Sequence, residues 1–205
     1  MLEARRRASS VSGPSWIFAH IQLAGKGRRG RVWVDPTGNF ASTCVFFPDR
    51  TIDEYALSSF TAALSLYDCL SDFTEGSAQV SIKWPNDILL NQKKVAGILL
   101  ETIAVGKNKI ALSIGFGVNL LSHPGASELE ESALSPTSFL TETGVAIDPL
   151  ELLNKLAANF SKYEGTLQDK GFTELRSLLM DRIHGIGSQI IVRTTNETLH
   201  GVFSD

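Results

Sequence analysis

A short basic loop at residues 25–31 carries the residue types best suited to chemistry in this chain. Its sequence, Gly-Lys-Gly-Arg-Arg-Gly-Arg, places four cations among three glycines. Cations packed this densely repel one another unless they face water or a multivalent anion, and glycine amides can line a concavity with further partial positive charge. The loop therefore predicts a phosphate-binding site, with a solvated basic turn as the alternative.

The letters of this loop also match G-x-G-x-x-G, the fingerprint of dinucleotide-binding folds. That fingerprint requires a helix to open directly after the glycines, so that the pyrophosphate meets a helix N-terminus. Here residues 31–34 are strand-like and residues 35–39 form a turn cluster, so the dinucleotide-binding hypothesis is rejected. The chain also lacks a P-loop of the form G-x-x-x-x-G-K-[ST].

A second cation, Lys83, stands at the end of a predicted strand and just before the turn formed by residues 85–87. A lysine in a half-buried strand is costly to desolvate unless it meets an anion. Lys83 is therefore either a surface lysine whose head reaches water or a partner of the basic loop at a carboxylate or phosphate.

The elements that must position these cations follow from periodicity and turn residues. Apolar residues recur at steps of three and four between residues 53 and 72, which predicts a helix. Ser135-Pro136 and Asp148-Pro149 each have proline where a helix would begin, and a further helix is predicted over residues 172–183. Strands are predicted at residues 16–22, 41–47, 80–84, 88–90, 95–101 and 110–118, with a hairpin at 189–193 and 198–203. This order predicts an α+β fold.

Composition narrows the class of protein. With 205 residues, 43% of them apolar, and a formal net charge of −3, the chain is typical of a soluble globular domain and not of a dedicated nucleic-acid binder. No apolar run approaches the ~20 residues needed to cross a bilayer. Cys44 and Cys69 have neither CxxC nor zinc-site spacing, which favours a reducing, cytoplasmic setting.

Four segments in order resemble the hallmarks of the biotin protein ligase family. The first is residues 22–31 with Trp33, and the second is the Lys-Trp-Pro-Asn-Asp sequence at 83–87. The third is Lys-Val-Ala-Gly-Ile-Leu at 94–99 with Glu101, and the fourth is Gly-Phe-Gly-Val-Asn at 115–119; residues 136–140 also fit. Each segment alone is a weak signal, whereas four at compatible spacing are a strong one.

The resemblance implies a mixed or antiparallel sheet covered by helices, as in class II synthetases and biotin ligases. It also implies a ligase that uses ATP, biotin and Mg²⁺ to form biotinyl-5′-AMP, and then transfers biotin to a lysine of a biotin carboxyl carrier protein. A lipoate–protein ligase, which shares the reaction class, and an inactive truncated adenylate-binding domain are the alternatives.

By the same resemblance, Lys83 and Arg28 are the expected catalytic residues. Asp87 would orient the incoming lysine or only form the turn. The residues expected to bind biotin are Gln22, Gly25, Lys26, Gly27, Arg28, Lys83, Gly97, Leu99, Gly115 and Gly117, and those expected to bind ATP are Lys26, Arg28, Arg29, Arg31, Trp33 and Asn119.

The chain departs from the family pattern in ways that shape the expected domains. Lys26 stands where the family usually has arginine, so the charge is kept but the bidentate fork is lost. The family's Ser-Thr-Asn biotin-contacting segment is missing before the first helix. We therefore expect residues 1–184 to form a catalytic domain without its N-terminal segment, and residues 185–205 to be the incomplete start of a small SH3-like β domain. No helix-turn-helix precedes the domain, so repressor activity is not expected. Neither DNA nor a membrane is an expected partner, and a homodimer through a sheet edge stays open.

Overall fold

An antiparallel sheet forms the centre of the computed structural model, which describes residues 1–125, 134–193 and 197–204. Its strands are β1 (Ser15–Ala19), β2 (Phe40–Phe46), β3 (Val80–Lys83), β4 (Asp87–Leu90), β5 (Lys93–Val105) and β6 (Lys109–Val118). They lie in the order β1-β2-β6-β5-β4-β3, and each neighbouring pair is antiparallel. A separate two-stranded sheet contains β7 (Gln189–Arg193) and β8 (Thr198–Val202).

The described helices are α1 (Leu2–Arg7), α2 (Ser58–Thr74), α3 (Phe139–Thr143), α4 (Pro149–Lys170) and α5 (Phe172–Met180), with short 3-10 turns at Ala8–Ser10, Arg28–Gly30 and Ile52–Leu57. Four of them, α2 to α5, cover one face of the large sheet, and the short helix α1 lies on the other face. The Asp148 carboxylate accepts from the backbone N–H groups of Leu150 and Glu151, and Pro149 follows it, which fixes where α4 begins.

The two faces of the sheet differ because side chains alternate along each strand. On β6, Leu112, Ile114, Phe116 and Val118 enter the main core with α2 and α4. The Phe116 ring lies 6.4 Å from the ring of Phe160 on α4, which confirms the side on which the helices pack. The intervening positions of β6 face the opposite side.

That opposite face is closed at one end and open at the other. At the closed end, the short helix α1 packs Ala4 over Val45, Ile103 and Ala111. At the open end, cross-strand register places Ala41, Gly117, Gly97, Asp87 and Lys83 in one row across five strands. Neighbouring strands are about 4.8 Å apart, so the Lys83 and Gly97 backbones lie about 10 Å from each other. The row joins a cation to a floor of glycines.

The segment that follows α5 pairs with the outer edge of β3. The backbone N–H of Ile82 donates to the Arg182 carbonyl at 2.8 Å, and the His184 N–H donates to the Ile82 carbonyl at 2.7 Å. Among the described residues, β1 at the other edge of the sheet pairs only with β2.

The structure confirms the predicted α+β class and the antiparallel sheet covered by helices, with two local corrections. The prediction that a helix begins at Pro136 is wrong: Pro136 forms a parallel bridge with Lys94, and α3 begins only after Ser138, whose Oγ accepts from the Thr141 N–H. Residues 31–34 do not form a strand, and only Val32 bridges across the loop to Lys26. The division into domains at residues 184 and 185 stays a prediction.

Candidate active site

The open face of the sheet is the floor of a hollow of about 1280 Å³. The basic loop, the turn between β3 and β4 and the β7–β8 hairpin border it. All but one of the residues that the sequence nominated line this hollow: Gln22, Lys26, Gly27, Arg28, Arg29, Arg31, Trp33, Lys83, Gly97, Leu99, Gly115, Gly117 and Asn119.

Gly25 is the exception, because it lies within the loop where two backbones meet. The Trp33 N–H donates to the Gly25 carbonyl at 3.0 Å, and a Cβ at Gly25 would lie 2.8 Å from Gln22 Oε1 and would also overlap the Trp33 carbonyl oxygen. Its part in the site is therefore to let the two sides of the loop approach each other.

The basic loop is a closed turn. The Gly27 N–H donates to the Arg31 carbonyl at 2.8 Å, and Arg29 and Gly30 have φ values of 57° and 76°. Outside glycine, only a few per cent of residues have a positive φ. Arg29 adopts one inside the turn that the Gly27–Arg31 hydrogen bond closes. Arg28 Nη1 donates to Asn86 Oδ1 at 3.1 Å, which ties the loop to the turn that follows Lys83.

Trp33 lies flat on the glycine floor. A Cβ at Gly117 would be 2.6 Å from Trp33 Cε2, and a Cβ at Gly97 would be 3.1 Å from Trp33 Cζ3. The Trp33 Nε1 atom is buried and has no hydrogen-bond partner among the described residues. Trp33 was expected to bind the nucleotide, yet its indole covers Gly97 and Gly117, two of the glycines expected around biotin.

Lys94 is the residue of the hollow that the sequence analysis missed. Its Nζ lies 2.8 Å from Asp87 Oδ1 and 5.6 Å from the centroid of the Trp33 ring, with 28% of the side chain exposed. It would also lie 3.7 Å from a Cβ at Gly97. Its place three residues before Gly97, within the third family segment, was the available signal.

The inner part of the hollow contains hydroxyl groups that were not nominated either. Thr43 of β2 lines it and lies opposite Gly115 on the same face of the sheet. Thr43 Oγ1 and Ser113 Oγ lie 3.8 and 3.3 Å from the Met1 sulfur. The hollow is therefore apolar and glycine-lined at its floor, cationic at its rim and hydroxylated at its inner end.

Asn119, at the end of β6, is 3% exposed and is fixed by its backbone and its amide. Its backbone N–H donates to the Val95 carbonyl at 2.9 Å, its carbonyl accepts from the Phe139 N–H at 2.8 Å, and its Nδ2 donates to the Thr137 carbonyl at 3.0 Å. The Asn119 Oδ1 atom is buried and has no partner in the described part of the chain.

Within residues 1–125, 134–193 and 197–204, no group of three or more His, Cys, Asp and Glu side chains is placed to hold a metal ion. In the same ranges, no helix combines the length and the apolar character that crossing a membrane requires.

An antiparallel sheet with helices on one face and a cationic, glycine-floored hollow on the other defines a catalytic domain of the biotin protein ligase class. The biotin protein ligase from Aquifex aeolicus in complex with biotin and ATP superimposes with a TM-score of 0.79 at 26% identity, over 96% of this chain and 80% of that chain. The chain belongs to the Biotin/lipoate A/B protein ligase family, whose sequence model matches residues 1–119.

Two curated relatives agree with this membership. The biotin--[acetyl-CoA-carboxylase] ligase of Paracoccus denitrificans is 45% identical over 201 residues, which cover 98% of this chain and 84% of that protein. The bifunctional ligase/repressor BirA of Bacillus subtilis is 31% identical over 188 residues, which cover 90% of this chain and 56% of that protein.

Proposed function

We propose that the chain catalyses the two steps of a biotin–protein ligase. In the first step, a carboxylate oxygen of biotin attacks the α-phosphorus of ATP, the α–β phosphoanhydride bond breaks, and pyrophosphate leaves with biotinyl-5′-AMP formed. In the second step, the neutral amine of an acceptor lysine attacks the acyl carbonyl, AMP leaves, and an amide remains. The observation that carries the proposal is that Arg28, Lys83 and Lys94 all border one glycine-floored hollow.

The charges of the hollow suit the first step. A carboxylate and a triphosphate repel each other, and preorganised cations offset that repulsion most effectively where water is excluded. Arg28 is already oriented by Asn86, and Lys94 by Asp87. We assign Arg28, Lys83 and Lys94 to the reacting carboxylate and α-phosphate.

The shape of the hollow suits two ligands side by side. The glycines at 97, 115 and 117 make a floor without side chains over β5 and β6, with Leu99, Gln22 and Thr43 at its border. The Trp33 indole covers this floor at Gly97 and Gly117, so we propose that the flat bicyclic ring of biotin takes that place when the indole moves aside. Arg29, Arg31 and Asn119 are assigned to the nucleotide, and Trp33 lies between the two sites. Mg²⁺ requires oxygen ligands and is commonly carried by substrate phosphates, which fits the lack of a three-ligand cluster among the described residues.

The acceptor we propose is the lysine of a biotin carboxyl carrier protein. Asp87 lies in the same row as Lys83 and Gly97, so its carboxylate is placed to orient an incoming ammonium once a ligand draws Lys94 away. Both cysteines are free and buried, which agrees with the cytoplasmic location we propose. For a homodimer, the strand available for pairing between copies is β1.

The test is the formation of the adenylate. Incubation with biotin, Mg²⁺ and ATP labelled at the α-phosphate is expected to yield labelled biotinyl-AMP, and addition of a carrier domain is expected to discharge it. Lys83→Ala and Lys94→Ala should each lower adenylate formation by about a hundredfold or more, the usual effect of removing one preorganised donor to a developing charge. Lys170→Ala, at the exposed end of α4, is the control that should leave the rate unchanged.

Competition with lipoate separates the two branches of the family. An adenylate formed from lipoate in preference to biotin would replace the proposal by lipoate–protein ligase activity. No adenylate from either acid, in a protein that binds ATP, would reject ligase activity for this chain.

A further inference from the structure

The carboxylate of Glu142, outside the hollow, gathers hydrogen-bond donors from two segments that border Asn119 and Lys94. Thr137 Oγ1 donates to Glu142 Oε1 at 2.6 Å, Lys93 Nζ lies 2.9 Å from the same oxygen, and Asn91 Nδ2 donates to Oε2 at 2.9 Å. Only 9% of the Glu142 side chain is exposed. Three hydrogen bonds to a shielded carboxylate favour its ionised form and fix its position.

The protonation state of Glu142 is constant in ordinary buffers. The hydrogen bonds from Thr137, Asn91 and Lys93 lower the pKa of this carboxyl to about 2. The Glu142 carboxyl is therefore ionised at neutral pH and accepts all three hydrogen bonds.

Thr137 connects this cluster to the hollow. Its hydroxyl is held by Glu142, its backbone N–H donates to the Lys94 carbonyl at 2.9 Å, and its carbonyl accepts from Asn119 Nδ2 at 3.0 Å. Thr137 is 1% exposed, so no water replaces these bonds. A displacement of Thr137 would move the acceptor that holds the Asn119 amide.

The direction of that bond determines what Asn119 offers to a ligand. A carbonyl oxygen can only accept, so the amide NH₂ faces Thr137 and the Oδ1 atom is turned away from it. Asn119 borders the hollow, and Oδ1 is the atom that we assign to a ligand there. A buried acceptor without a partner favours a donor on the ligand and disfavours another acceptor. The exocyclic amine of adenine is such a donor, whereas the carbonyl at the same position of hypoxanthine is an acceptor.

We infer that Glu142, acting through Thr137, is a positioning residue that fixes the amide orientation of Asn119 and so makes the site prefer a purine with an exocyclic amine. This inference rests on the proposed function only in assuming that a purine nucleotide binds in the hollow. Neither Glu142 nor Thr137 touches the nucleotide in this arrangement.

The experiment measures equilibrium binding of ATP and ITP to the protein by calorimetry; their bases differ in the group on C6 and in the proton on the neighbouring N1. The expected result for the unaltered protein is a preference for ATP. Glu142→Gln and Thr137→Val are expected to reduce the ATP-over-ITP ratio about tenfold, as the loss of one oriented hydrogen bond implies, while the affinity for biotin changes less than twofold. Thr137→Ser keeps the hydroxyl and is expected to restore the ratio.

Glu174→Gln, an exposed carboxylate on α5, is the matched control and should behave as the unaltered protein. Equal losses for ATP and ITP in Glu142→Gln and Thr137→Val would assign a purely structural role to the cluster, and an unchanged ratio or no initial preference would also overturn the inference. Because binding is measured without turnover, failure of biotinyl-AMP synthesis in the unaltered protein would refute the proposed function without deciding this question.

Discussion

Replacing Gly117 by alanine should impair biotin binding. The new Cβ would lie 2.6 Å from Trp33 Cε2, 2.8 Å from Nε1 and 2.9 Å from Cζ2, whereas carbon atoms pack without strain at about 3.5–4.0 Å. The neighbouring backbones belong to the centre of the sheet and cannot yield, so the indole must tilt away from the floor.

The magnitude follows from the cost of overpacking. Inserting a methyl group into a packed site costs about 1–3 kcal/mol. Where biotin has to lie on the same floor, we expect a cost of this size in binding, which corresponds to about 5- to 150-fold in affinity. The loss should appear in the dissociation constant for biotin, with a smaller effect on ATP, because Gly117 lies beneath Trp33 and between Gly97 and Ala41 on the sheet.

Calorimetric titration with biotin gives the affinity, and the tryptophan fluorescence of Gly117→Ala, compared with that of the unaltered protein without ligand, reports the displacement of the Trp33 ring. Gly165→Ala is the matched control: it lies in α4, and a Cβ there meets nothing within 4 Å. It should leave biotin binding unchanged and stabilise the fold by about 0.5–1 kcal/mol, since alanine favours a helix interior over glycine. Biotin affinity within twofold of normal in Gly117→Ala, in a folded protein, would refute the assignment of biotin to this floor.

Three further predictions concern stability and the loop. Glu164→Ala removes the ion-pair partner of Arg50, which lies 2.9 Å away; only 12% of the Arg50 and 14% of the Glu164 side chain are exposed. Because Arg50 would be left buried and uncompensated, urea titration should show that the free energy of unfolding falls by about 3–5 kcal/mol. A fall below 1 kcal/mol would mean that water reaches the pair. Burial raises the pKa of Asp35, whose Oδ1 has no partner among the described residues. The folded protein therefore binds a proton there more tightly than the unfolded chain, and stability falls as pH rises from the usual Asp pKa of 3.8 through the raised folded value; Asp35→Asn should lose this decline in unfolding curves measured from pH 3 to 7, and an identical pH dependence in both proteins would contradict it. Asn86→Ala removes the acceptor of Arg28 and should raise the KM for ATP about tenfold while leaving the midpoint of thermal unfolding within a few degrees; an unchanged KM would show that Arg28 is positioned by other contacts.

Much of the site could be predicted from the sequence because its residues lie in runs with local meaning. Three glycines among four cations in residues 25–31, and glycines at alternate positions of a strand at 115 and 117, each favour a ligand site, and their occurrence in one chain strengthens that prediction. Periodicity of two then predicts that Gly115 and Gly117 share one face, as they do.

Lys94 could not be assigned in the same way. In sequence it ends a polar turn, and a lysine beside a turn is usually solvated. Its arrival at Asp87 depends on the pairing of β4 with β5, including the irregular register between Ile88 and Leu89. That register is a property of the folded sheet and leaves no mark on the local pattern.

Residues 135–142 show the opposite case, in which a clear local signal lost to tertiary pairing. Proline after serine favours a helix start, yet the Lys94 N–H donates to the Ser135 carbonyl and the Thr137 N–H to the Lys94 carbonyl, both at 2.9 Å. A proline between two such bonds costs nothing, because Pro136 has no N–H to leave unpaired. Glu142 was missed for a related reason: its partners Asn91 and Lys93 are 51 and 49 residues away.

The pairing of residues 182–184 with β3 makes the two edges of the large sheet different. One margin is occupied by the chain's own backbone, whereas β1 at the other margin pairs only with β2 among the described residues. A fibre grows by strand addition only if each copy has two unpaired sheet edges, one for the copy before it and one for the copy after it. With β1 as the one open edge of the large sheet among the described residues, a copy can join only one neighbour through that sheet, about a twofold axis, so an assembly built by joining large sheets should stop at two copies.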